Sequence, residues 1–370
     1  MADVAIIGGG IAGASAAYRL TENHDVVLLE QESELAMHST SRSAAMYLEN
    51  YGGPVNHRLS TLSRDFFEDP PAATDAPFLE PLGFLDVGPA EVGDAFAARA
   101  AEAAQVTSSV RFVEGAEIAQ LCPVLDQTLA AVGVWEPHAM AVDVMAVHQF
   151  YLRGARSQGL EVLRSSRVTG LNRVGESWEI QTTSGQVVAE VVVNAAGAWG
   201  DVVGALAGAE PVGLRPCRRT AFTTGSRHDT TGWPFVHGSA PGAECYFKPE
   251  AGNQLLCSLA DETAAAPGDA RPEEIDIALA IDRLNRLADL QIRSVNTSWA
   301  GHRTSVADRQ PVIGWDDRVE GFLWMVGQGG AGIVTSPASG MVVAGLLDHG
   351  SLPDELERLG VGIADLAPRR

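Results

Sequence analysis

The first 30 residues carry the feature that most limits what this chain can fold into. An apolar run at residues 4–7 is followed by Gly8-Gly9-Gly10-Ile11-Ala12-Gly13, a stretch of small residues, and a second apolar run at residues 26–29 that ends at Glu30. Strand, glycine turn, helix and strand in this order form a unit whose glycines let the backbone approach a pyrophosphate at the helix N-terminus. Glu30 can accept hydrogen bonds from ribose hydroxyls and would repel a 2′-phosphate. The segment therefore predicts a site for FAD or NAD and disfavours NADP.

The size and charge of the chain exclude several classes of function. With 370 residues, 46% of them hydrophobic, the chain can bury a large core. Its formal net charge of -21 repels phosphate backbones and anionic lipids, so we expect neither nucleic acid nor a membrane surface as a partner. The first strand begins almost at once and no apolar run reaches the roughly 18 residues of a membrane span, so we expect no signal peptide and a cytoplasmic location.

The four cysteines indicate neither a metal site nor a redox pair. Cys122, Cys217, Cys245 and Cys257 show no CxxC spacing and no neighbouring pair of histidines. We expect them to be reduced, buried thiols, and we expect no bound metal.

Three segments before residue 160 carry structural signals. Residues 38–45, His-Ser-Thr-Ser-Arg-Ser-Ala-Ala, are too rich in hydroxyl groups for a core strand and predict a ligand-facing loop that leads into a helix. Residues 82–140 are predicted to form short strands and helices inserted between two parts of the first domain. Apolar residues at helical spacing predict a helix over residues 144–157.

The second half of the chain predicts a return to the first domain after a separate sheet. Residues 191–194 form a second buried strand that ends in a glycine turn. Residues 210–300 alternate in polarity and predict an antiparallel sheet that carries the substrate. Within them a helix is predicted over residues 272–290, in which Ile275, Leu279, Ile281 and Leu284 fall near helical spacing.

The C-terminal glycines favour FAD over NAD. Residues 323–345 repeat the order of strand, glycine turn and helix, and so place bare backbone amides near the cofactor. A nicotinamide must leave after each turnover, whereas a flavin stays bound and benefits from N–H groups that stabilise the charge of its reduced ring.

Six motifs together resemble a known family. They are the opening fingerprint with Glu30, residues 38–45, Val168, residues 194–199, residues 299–303 and residues 328–333. In this order they are similar to the D-amino-acid oxidase superfamily of FAD-dependent oxidoreductases, and within it most similar to the D-arginine dehydrogenases.

The resemblance implies an α/β fold of two domains. One is a discontinuous, Rossmann-like FAD-binding domain of the glutathione-reductase type, and the other is an α+β substrate domain built on a mixed or antiparallel sheet. We expect residues 1–80, 141–210 and 300–370 in the FAD-binding domain and residues 81–140 and 211–299 in the substrate domain.

The resemblance also implies which residues bind non-covalent FAD. They are Gly8, Gly10, Ile11, Ala12, Gly13, Glu30, Gln31, Ser39, Thr40, Ser41, Arg42, Ser43, Ala44, Ala45, Val168, Ala196, Gly197, Trp199, Gly301, Arg303, Gly329, Gly330, Gly332, Ile333, Val334 and Thr335.

Four further matches indicate how an amino acid would be held. Arg219 and Arg303 match positions that clamp the substrate carboxylate, which suits the bidentate hydrogen bonds of guanidinium groups. The residues alone leave open that Arg219, beside Arg218, is solvated surface. Tyr51 and Tyr246 match tyrosines that close over the carboxylate, and the carbonyl groups near Gly330 and Gly301 are candidates to hold the substrate amine.

The chain departs from the D-arginine dehydrogenases at four pocket positions. Met46, Leu48, Val334 and Phe84 stand where polar residues are expected, and Phe84 replaces the glutamate that receives a guanidinium. A buried guanidinium without an acid partner forfeits about 3–5 kcal/mol. We therefore expect a substrate with an apolar or uncharged side chain, unless Glu80 or Asp86 supplies the acid instead.

The reaction that the resemblance implies is oxidative deamination of an α-amino acid of D configuration. Hydride passes from the α-carbon to flavin N5, and the imine hydrolyses to a 2-oxo acid and ammonia. The single lysine, Lys248, does not stand where related oxidases have their oxygen-activating lysine, and residues 304–312 contain no cysteine that could tether FAD. We expect weak reactivity with oxygen, while the electron acceptor and the oligomeric state stay open.

Two alternatives stay open at the level of sequence. One is an oxidase of an N-methyl or cyclic secondary amino acid, and the other is a biosynthetic or assembly flavoprotein that does not turn over free amino acids. A flavin hydroxylase is disfavoured because the sequence has no second NADPH fingerprint.

Overall fold

The computed structural model describes residues 1–72, 74–240 and 242–370. Within these residues, one sheet has eight strands and a second has nine. A small third sheet pairs Met46–Tyr47 and Leu79–Pro81 with Met140–Val142. In the sequence, its strands stand where the chain passes from one large sheet to the other.

The first sheet is mostly parallel and contains the opening βαβ unit. In spatial order its strands are Val168–Val174, Ser177–Thr182, Gly185–Asn194, Ala2–Ile7, Val26–Leu29 and Glu161–Leu163, with Phe322–Val326 beside Gly185–Asn194 and Val312–Trp315 beside Phe322–Val326. The central strands are buried on both faces, as expected for a parallel sheet covered by helices. Their carboxyl ends, where parallel strands place ligands, meet at the glycine turns.

Three helices cover one face of this sheet: Ile11–Leu20, Val144–Ser157 and Ser336–Asp348. Small residues allow their close approach, because a Cβ on Gly340 would lie 2.7 Å from the Ser15 carbonyl oxygen. The Asp143 side chain caps Val144–Ser157 by accepting a hydrogen bond of 2.9 Å from Ala146 N, so this helix has the predicted bounds.

The second sheet is mixed. Its strands are, in spatial order, Thr263–Ala264, Arg215–Gly225, Gln254–Ser258, Cys245–Glu250, Phe235–Gly238, Phe84–Gly88, Val132–Glu136 and Arg111–Glu114, with Thr297–Ser305 also paired to Arg215–Gly225. Only Phe235–Gly238 and Phe84–Gly88 pair in parallel among these described strands. Helix Glu274–Leu287 packs against one face, which leaves the other face to form the wall of a cavity.

Seven further helices in the described ranges pack against the sheets or against other helices. They are Pro54–Leu62, Arg64–Glu68, Gly93–Ala103, Ala116–Leu121, Gly200–Leu206, Asp354–Arg358 and Ile363–Leu366, with 3-10 turns at Ala90–Val92 and Gly197–Trp199.

Four local predictions were wrong in detail. The loop at residues 38–45 leads into strand Met46–Tyr47, because Met46 and Tyr47 pair with Met140–Val142. The second predicted helix spans Glu274–Leu287, and its Ile275 is 60% exposed while Asp276 is buried. Cys217 is only partly buried, although its strand is paired on both sides. The predicted domain boundary at residue 300 falls inside strand Thr297–Ser305, which pairs along its length with Arg215–Gly225 of the second sheet.

No helix among the described residues has both the length and the apolar character needed to cross a membrane. In the same part of the chain, no group of three or more acidic, histidine or cysteine side chains could hold a metal ion.

Candidate active site

Three adjoining cavities run from the first sheet to the second. The strand-end cavity, about 280 Å³, lies at the carboxyl ends of Ala2–Ile7 and Val26–Leu29. The connecting cavity, about 120 Å³, shares Gly10, Ser39 and Thr40 with it. The large cavity, about 700 Å³, shares Arg303 and Gly330 with the connecting cavity and lies against the second sheet.

Glu30 lies in the wall of the strand-end cavity and is 7% exposed. Its Oε2 accepts a hydrogen bond of 2.8 Å from Gly9 N, and its Oε1 accepts one of 2.9 Å from Glu32 N. Each carboxylate oxygen keeps a second acceptor site, so Glu30 is fixed in position and still able to receive ribose hydroxyls.

The glycine turn approaches the second buried strand so closely that a side chain does not fit. Gly8 has a φ of 110°, and a Cβ there would lie 2.5 Å from the Ala195 carbonyl oxygen. Behind the turn, the buried His148 donates from Nε2 to the Gly9 carbonyl oxygen at 3.0 Å, and burial lowers the pKa of this imidazole. Sequence analysis missed His148, because its helix gives no signal that the ring faces the turn.

The connecting cavity contains backbone and side-chain donors. Gly329 has a φ of 57° and donates from its N–H to the Thr304 carbonyl oxygen at 2.8 Å, which fixes the turn. Gln328 lines the cavity, and its buried Nε2 has no hydrogen-bond partner within the described residues. Arg42 ties the 38–45 loop to the second sheet by donating to the Ala300 carbonyl oxygen at 2.9 Å. These features fit the phosphate and ring-edge acceptors of FAD.

The structure places 23 of the 26 predicted FAD-binding residues in the walls of the three cavities. Gly13, Ser41 and Thr335 line none of them. Gly13 instead allows helix and strand to meet, because a Cβ there would lie 1.9 Å from the Gly8 carbonyl oxygen. Ser41 is exposed, and the Thr335 hydroxyl donates to the Ala331 carbonyl oxygen at 3.0 Å.

Strand register decides which of two adjacent arginines faces the large cavity. Arg219 pairs opposite Gly301, and Cys217 pairs opposite Arg303. Because alternate residues share a face of a sheet, Arg219 and Arg303 are diagonal neighbours on one face, and Arg218 lies on the other. Arg218 there forms an ion pair of 2.8 Å with Asp276.

Both cavity arginines are held by carbonyl groups. Arg219 donates from Nε to the Asp261 carbonyl oxygen at 2.6 Å. Arg303 donates from Nη1 to the Gly330 carbonyl oxygen at 3.1 Å. Arg219 also reaches Glu262 Oε1 from Nη2 at 3.4 Å. Both arginine side chains line the same cavity, where their N–H groups can bind a carboxylate.

The two predicted tyrosines also line this cavity, in different environments. Tyr246 is 5% exposed and stacks on Phe235 with ring centroids 5.0 Å apart. Tyr51 is 44% exposed, and its hydroxyl would lie 2.2 Å from a Cβ on Gly330. Tyr246 is therefore a fixed wall, whereas Tyr51 covers Gly330 from the solvent side.

One end of the large cavity is apolar. Met46, Leu48, Phe84 and Val334 line it as predicted, and Phe84 lies 5.4 Å from Phe235 between ring centroids.

Another part of the wall of the large cavity is charged, which sequence analysis missed. Asp261, Glu262, Glu244 and Arg283 line it, and His237 contributes to the wall. Arg283 donates to the Glu244 carbonyl oxygen at 2.9 Å. These charged residues come from segments far apart in the sequence, so no local pattern indicated that they share a cavity.

Glu80 and Asp86, the two acids that could have paired with a substrate guanidinium, do not line the large cavity. Glu80 lines a separate surface cavity. Asp86 is 1% exposed and bonded to His237, Arg99 and Ser239. Burial raises the pKa of Asp86, but these partners outweigh it and hold the pKa below its ordinary value. Lys248 also lies outside the large cavity and forms an ion pair of 2.7 Å with Glu250.

A family model described as "DAO: FAD dependent oxidoreductase" matches residues 3–346. The chain belongs to this family. The DAO-family protein thus binds FAD, and the predicted fold class is confirmed. The finer similarity to D-arginine dehydrogenases stays a prediction.

Three curated relatives of the DAO-family protein share its sequence pattern. Glycine oxidase of Geobacillus kaustophilus is 23% identical, over 94% of this chain and 93% of its own length. Hydrogen cyanide synthase subunit HcnC of Pseudomonas aeruginosa is 26% identical, over 55% of this chain and 48% of its own. Mitochondrial dimethylglycine dehydrogenase of Rattus norvegicus is 29% identical, over 56% of this chain and 25% of its own length. The matches thus span about half of HcnC and a quarter of the dehydrogenase.

Solved structures show the same fold. Glycine oxidase from Geobacillus kaustophilus aligns with a TM-score of 0.84 at 23% identity, over 100% of this chain and 98% of that chain. L-proline dehydrogenase from P. horikoshii aligns with a TM-score of 0.83 at 19% identity, over 100% of this chain and 97% of that chain.

Proposed function

We propose that this DAO-family protein catalyses the oxidative deamination of an α-amino acid with an apolar or uncharged side chain, in the D configuration. The observation that carries the proposal is the placement of Arg219 and Arg303 on one face of a strand pair, in a cavity that adjoins the glycine turn at Gly329 and Gly330. Two guanidinium groups at this point suit one α-carboxylate beside the flavin site.

The residues of the cavity supply position rather than covalent chemistry. FAD held at the glycine turns of Gly8 and Gly329 would supply the acceptor for the hydride that leaves the α-carbon. Arg219 and Arg303 fix the carboxylate and so the direction of the α-hydrogen, and Tyr51 covers the site from solvent. The Gly330 carbonyl oxygen accepts one bond from Arg303 and keeps a second acceptor site for the substrate amine. The imine product then hydrolyses in water to a 2-oxo acid and ammonia.

The apolar end of the cavity supports the choice of side chain. Phe84, Met46 and Leu48 offer contact area and no acceptor for a cation. A substrate guanidinium placed among them would be desolvated without a partner, at a cost of about 3–5 kcal/mol. The D configuration is inferred from the resemblance, and comparison of D-leucine with L-leucine tests it.

A secondary amine is the second candidate substrate. The 29% identity to a protein named dimethylglycine dehydrogenase favours it. The two candidates differ in product, because an N-methyl substrate releases formaldehyde and a cyclic one gives a cyclic imine, whereas a primary amine releases ammonia.

Anaerobic mixing of the holoenzyme with single amino acids tests both candidates. The panel contains D- and L-leucine, D-methionine, D-phenylalanine, D-arginine, glycine, N-methylglycine and L-proline, and the readout is loss of flavin absorbance. We expect D-leucine, D-methionine and D-phenylalanine to bleach the flavin fastest. Faster bleaching by D-arginine would refute the side-chain assignment, and bleaching by none would favour an assembly flavoprotein.

We further propose that the reduced enzyme reacts weakly with oxygen. The amine of Lys248 is bonded to Glu250 and lies outside the large cavity. Reoxidation of the photoreduced holoenzyme in air-saturated buffer measures this directly, and reoxidation within a second would contradict it.

A further inference from the structure

Glu262 lines the large cavity and lies between two arginines. Its Oε2 is 2.6 Å from Arg309 Nη2, and its Oε1 is 3.4 Å from Arg309 Nη1. The same Oε1 is 3.4 Å from Arg219 Nη2. Arg309 thus holds Glu262 through two contacts, and Arg219 reaches it through one long contact.

The backbone on both sides of this ion pair is held in an uncommon conformation. Ala260, two residues before Glu262, has a φ of 58°, and Arg309 has a φ of 59°. Left-handed backbone is unfavourable for residues other than glycine and persists where surrounding contacts fix it. Both loops are therefore shaped by their contacts and not by local preference.

The contacts that fix Arg309 connect it to the Tyr51 loop. Its N–H donates to the Val306 carbonyl oxygen at 3.1 Å, and its own carbonyl oxygen accepts from Asn56 Nδ2 at 3.3 Å. The neighbouring Gln310 accepts from Val55 N at 3.2 Å. Asn56 and Val55 belong to helix Pro54–Leu62, which begins just after Tyr51.

Glu262 is an ionised carboxylate beside a group that must bind another carboxylate. The hydrogen bond from Arg309 lowers the pKa of Glu262 below its ordinary value, and the nearby Arg219 and Arg303 lower it further against the opposing effect of burial. Glu262 therefore competes with a substrate carboxylate for Arg219 unless something retains it.

We propose that Arg309 is a positioning residue that retains Glu262 and thereby leaves Arg219 free for the substrate carboxylate. This inference rests on the proposed function of Arg219. Before substrate enters, Glu262 neutralises part of the charge of Arg219. When substrate binds, Arg219 exchanges Glu262 for the substrate carboxylate, and Arg309 keeps Glu262 paired.

The variant Arg309→Gln tests the proposal in the holoenzyme. We expect the KM for the best amino acid to rise about two- to fivefold, the range that a partly exposed ion pair supports, with kcat within about twofold. The Kd of propionate, a carboxylate without an amine, measured from the flavin absorbance change, should rise by the same factor. Arg309→Lys should restore part of the affinity.

Glu262→Gln provides a second test that leaves the Arg309 turn intact. Removing the competing carboxylate should lower the Kd of propionate by about two- to fivefold. The double variant Arg309→Gln/Glu262→Gln should bind propionate at least as tightly as the wild type, because Arg309 then has no carboxylate to retain.

The outcomes separate this proposal from the proposed function. An unchanged Kd in Arg309→Gln, or a raised Kd that Glu262→Gln does not rescue, overturns the role of Arg309 while the carboxylate clamp stands. A wild-type enzyme that binds no propionate and is reduced by no amino acid overturns the clamp and this proposal with it.

Discussion

Replacing Gly330 with alanine tests whether Tyr51 must lie against the backbone at the clamp. A Cβ on Gly330 would lie 2.2 Å from the Tyr51 hydroxyl and 2.7 Å from its Cε1, closer than any real contact. Gly330 does not have a positive φ, so the backbone itself accepts alanine. The substitution therefore acts by displacing one side chain.

The magnitude follows from the exposure of Tyr51. Because this side chain is 44% exposed, it can rotate into solvent, and we expect the free energy of unfolding to change by less than about 1 kcal/mol. The hydrogen bond at stake is the one from the Tyr51 hydroxyl to the substrate carboxylate. A hydrogen bond to a charged group contributes about 1.5–3 kcal/mol, and because Tyr51 is partly exposed we expect the lower value of this range. Since about 1.4 kcal/mol corresponds to a factor of ten, KM should rise about tenfold.

Steady-state kinetics and thermal unfolding on the same preparations provide the assay. Tyr51→Phe should give a similar rise in KM, because it removes only the hydroxyl. Gly225→Ala is a matched control, since no atom lies within 4 Å of the added Cβ. A wild-type KM in Gly330→Ala, or a further loss when Gly330→Ala is added to Tyr51→Ala, would refute the reasoning.

Three further predictions concern the cofactor site, the clamp and a buried acid. Gly13→Ala should abolish FAD binding or folding, because its Cβ would meet the Gly8 carbonyl oxygen at 1.9 Å and backbone cannot move aside; the flavin content of purified protein measures this. Arg219→Met should lower kcat/KM by about 100-fold or more in steady-state assays while FAD stays bound, because a carboxylate loses charge-assisted bonds. Burial raises the pKa of Glu136 to about 7 from 4.5. The folded state therefore holds this proton more tightly, and stability falls as pH rises between these values. Glu136→Gln should remove that loss, stabilising the protein by at most about 3 kcal/mol at pH 8 and little at pH 4.5 in urea unfolding.

The sequence predicted those parts of the site that depend on neighbouring residues. The glycine turn after the first strand, the acid at the end of the second strand and the helix over residues 144–157 were all placed correctly. Turns, caps and helical faces are decided by contacts within a few residues, so their signals survive in a single chain. The resemblance to a known family added the prediction that Arg219 and Arg303 belong to the site.

Other features depended on register. Nothing in the local sequence distinguishes Arg218 from Arg219, since a shift of one residue in strand pairing exchanges the faces of both. The pairing of Arg219 with Gly301 settles it. Register also explains why the 38–45 loop enters a strand rather than a helix.

Long-range packing decided the rest of the cavity. Glu244, Glu262 and Arg283 come from separate loops and a helix, and only the folded chain brings them into the wall of one cavity. The sequence by itself therefore determined that this protein binds a dinucleotide, because that motif is complete within 30 residues. The tertiary structure alone decided the charge of the large cavity, because charges from distant segments interact only after the sheet has fixed their separation.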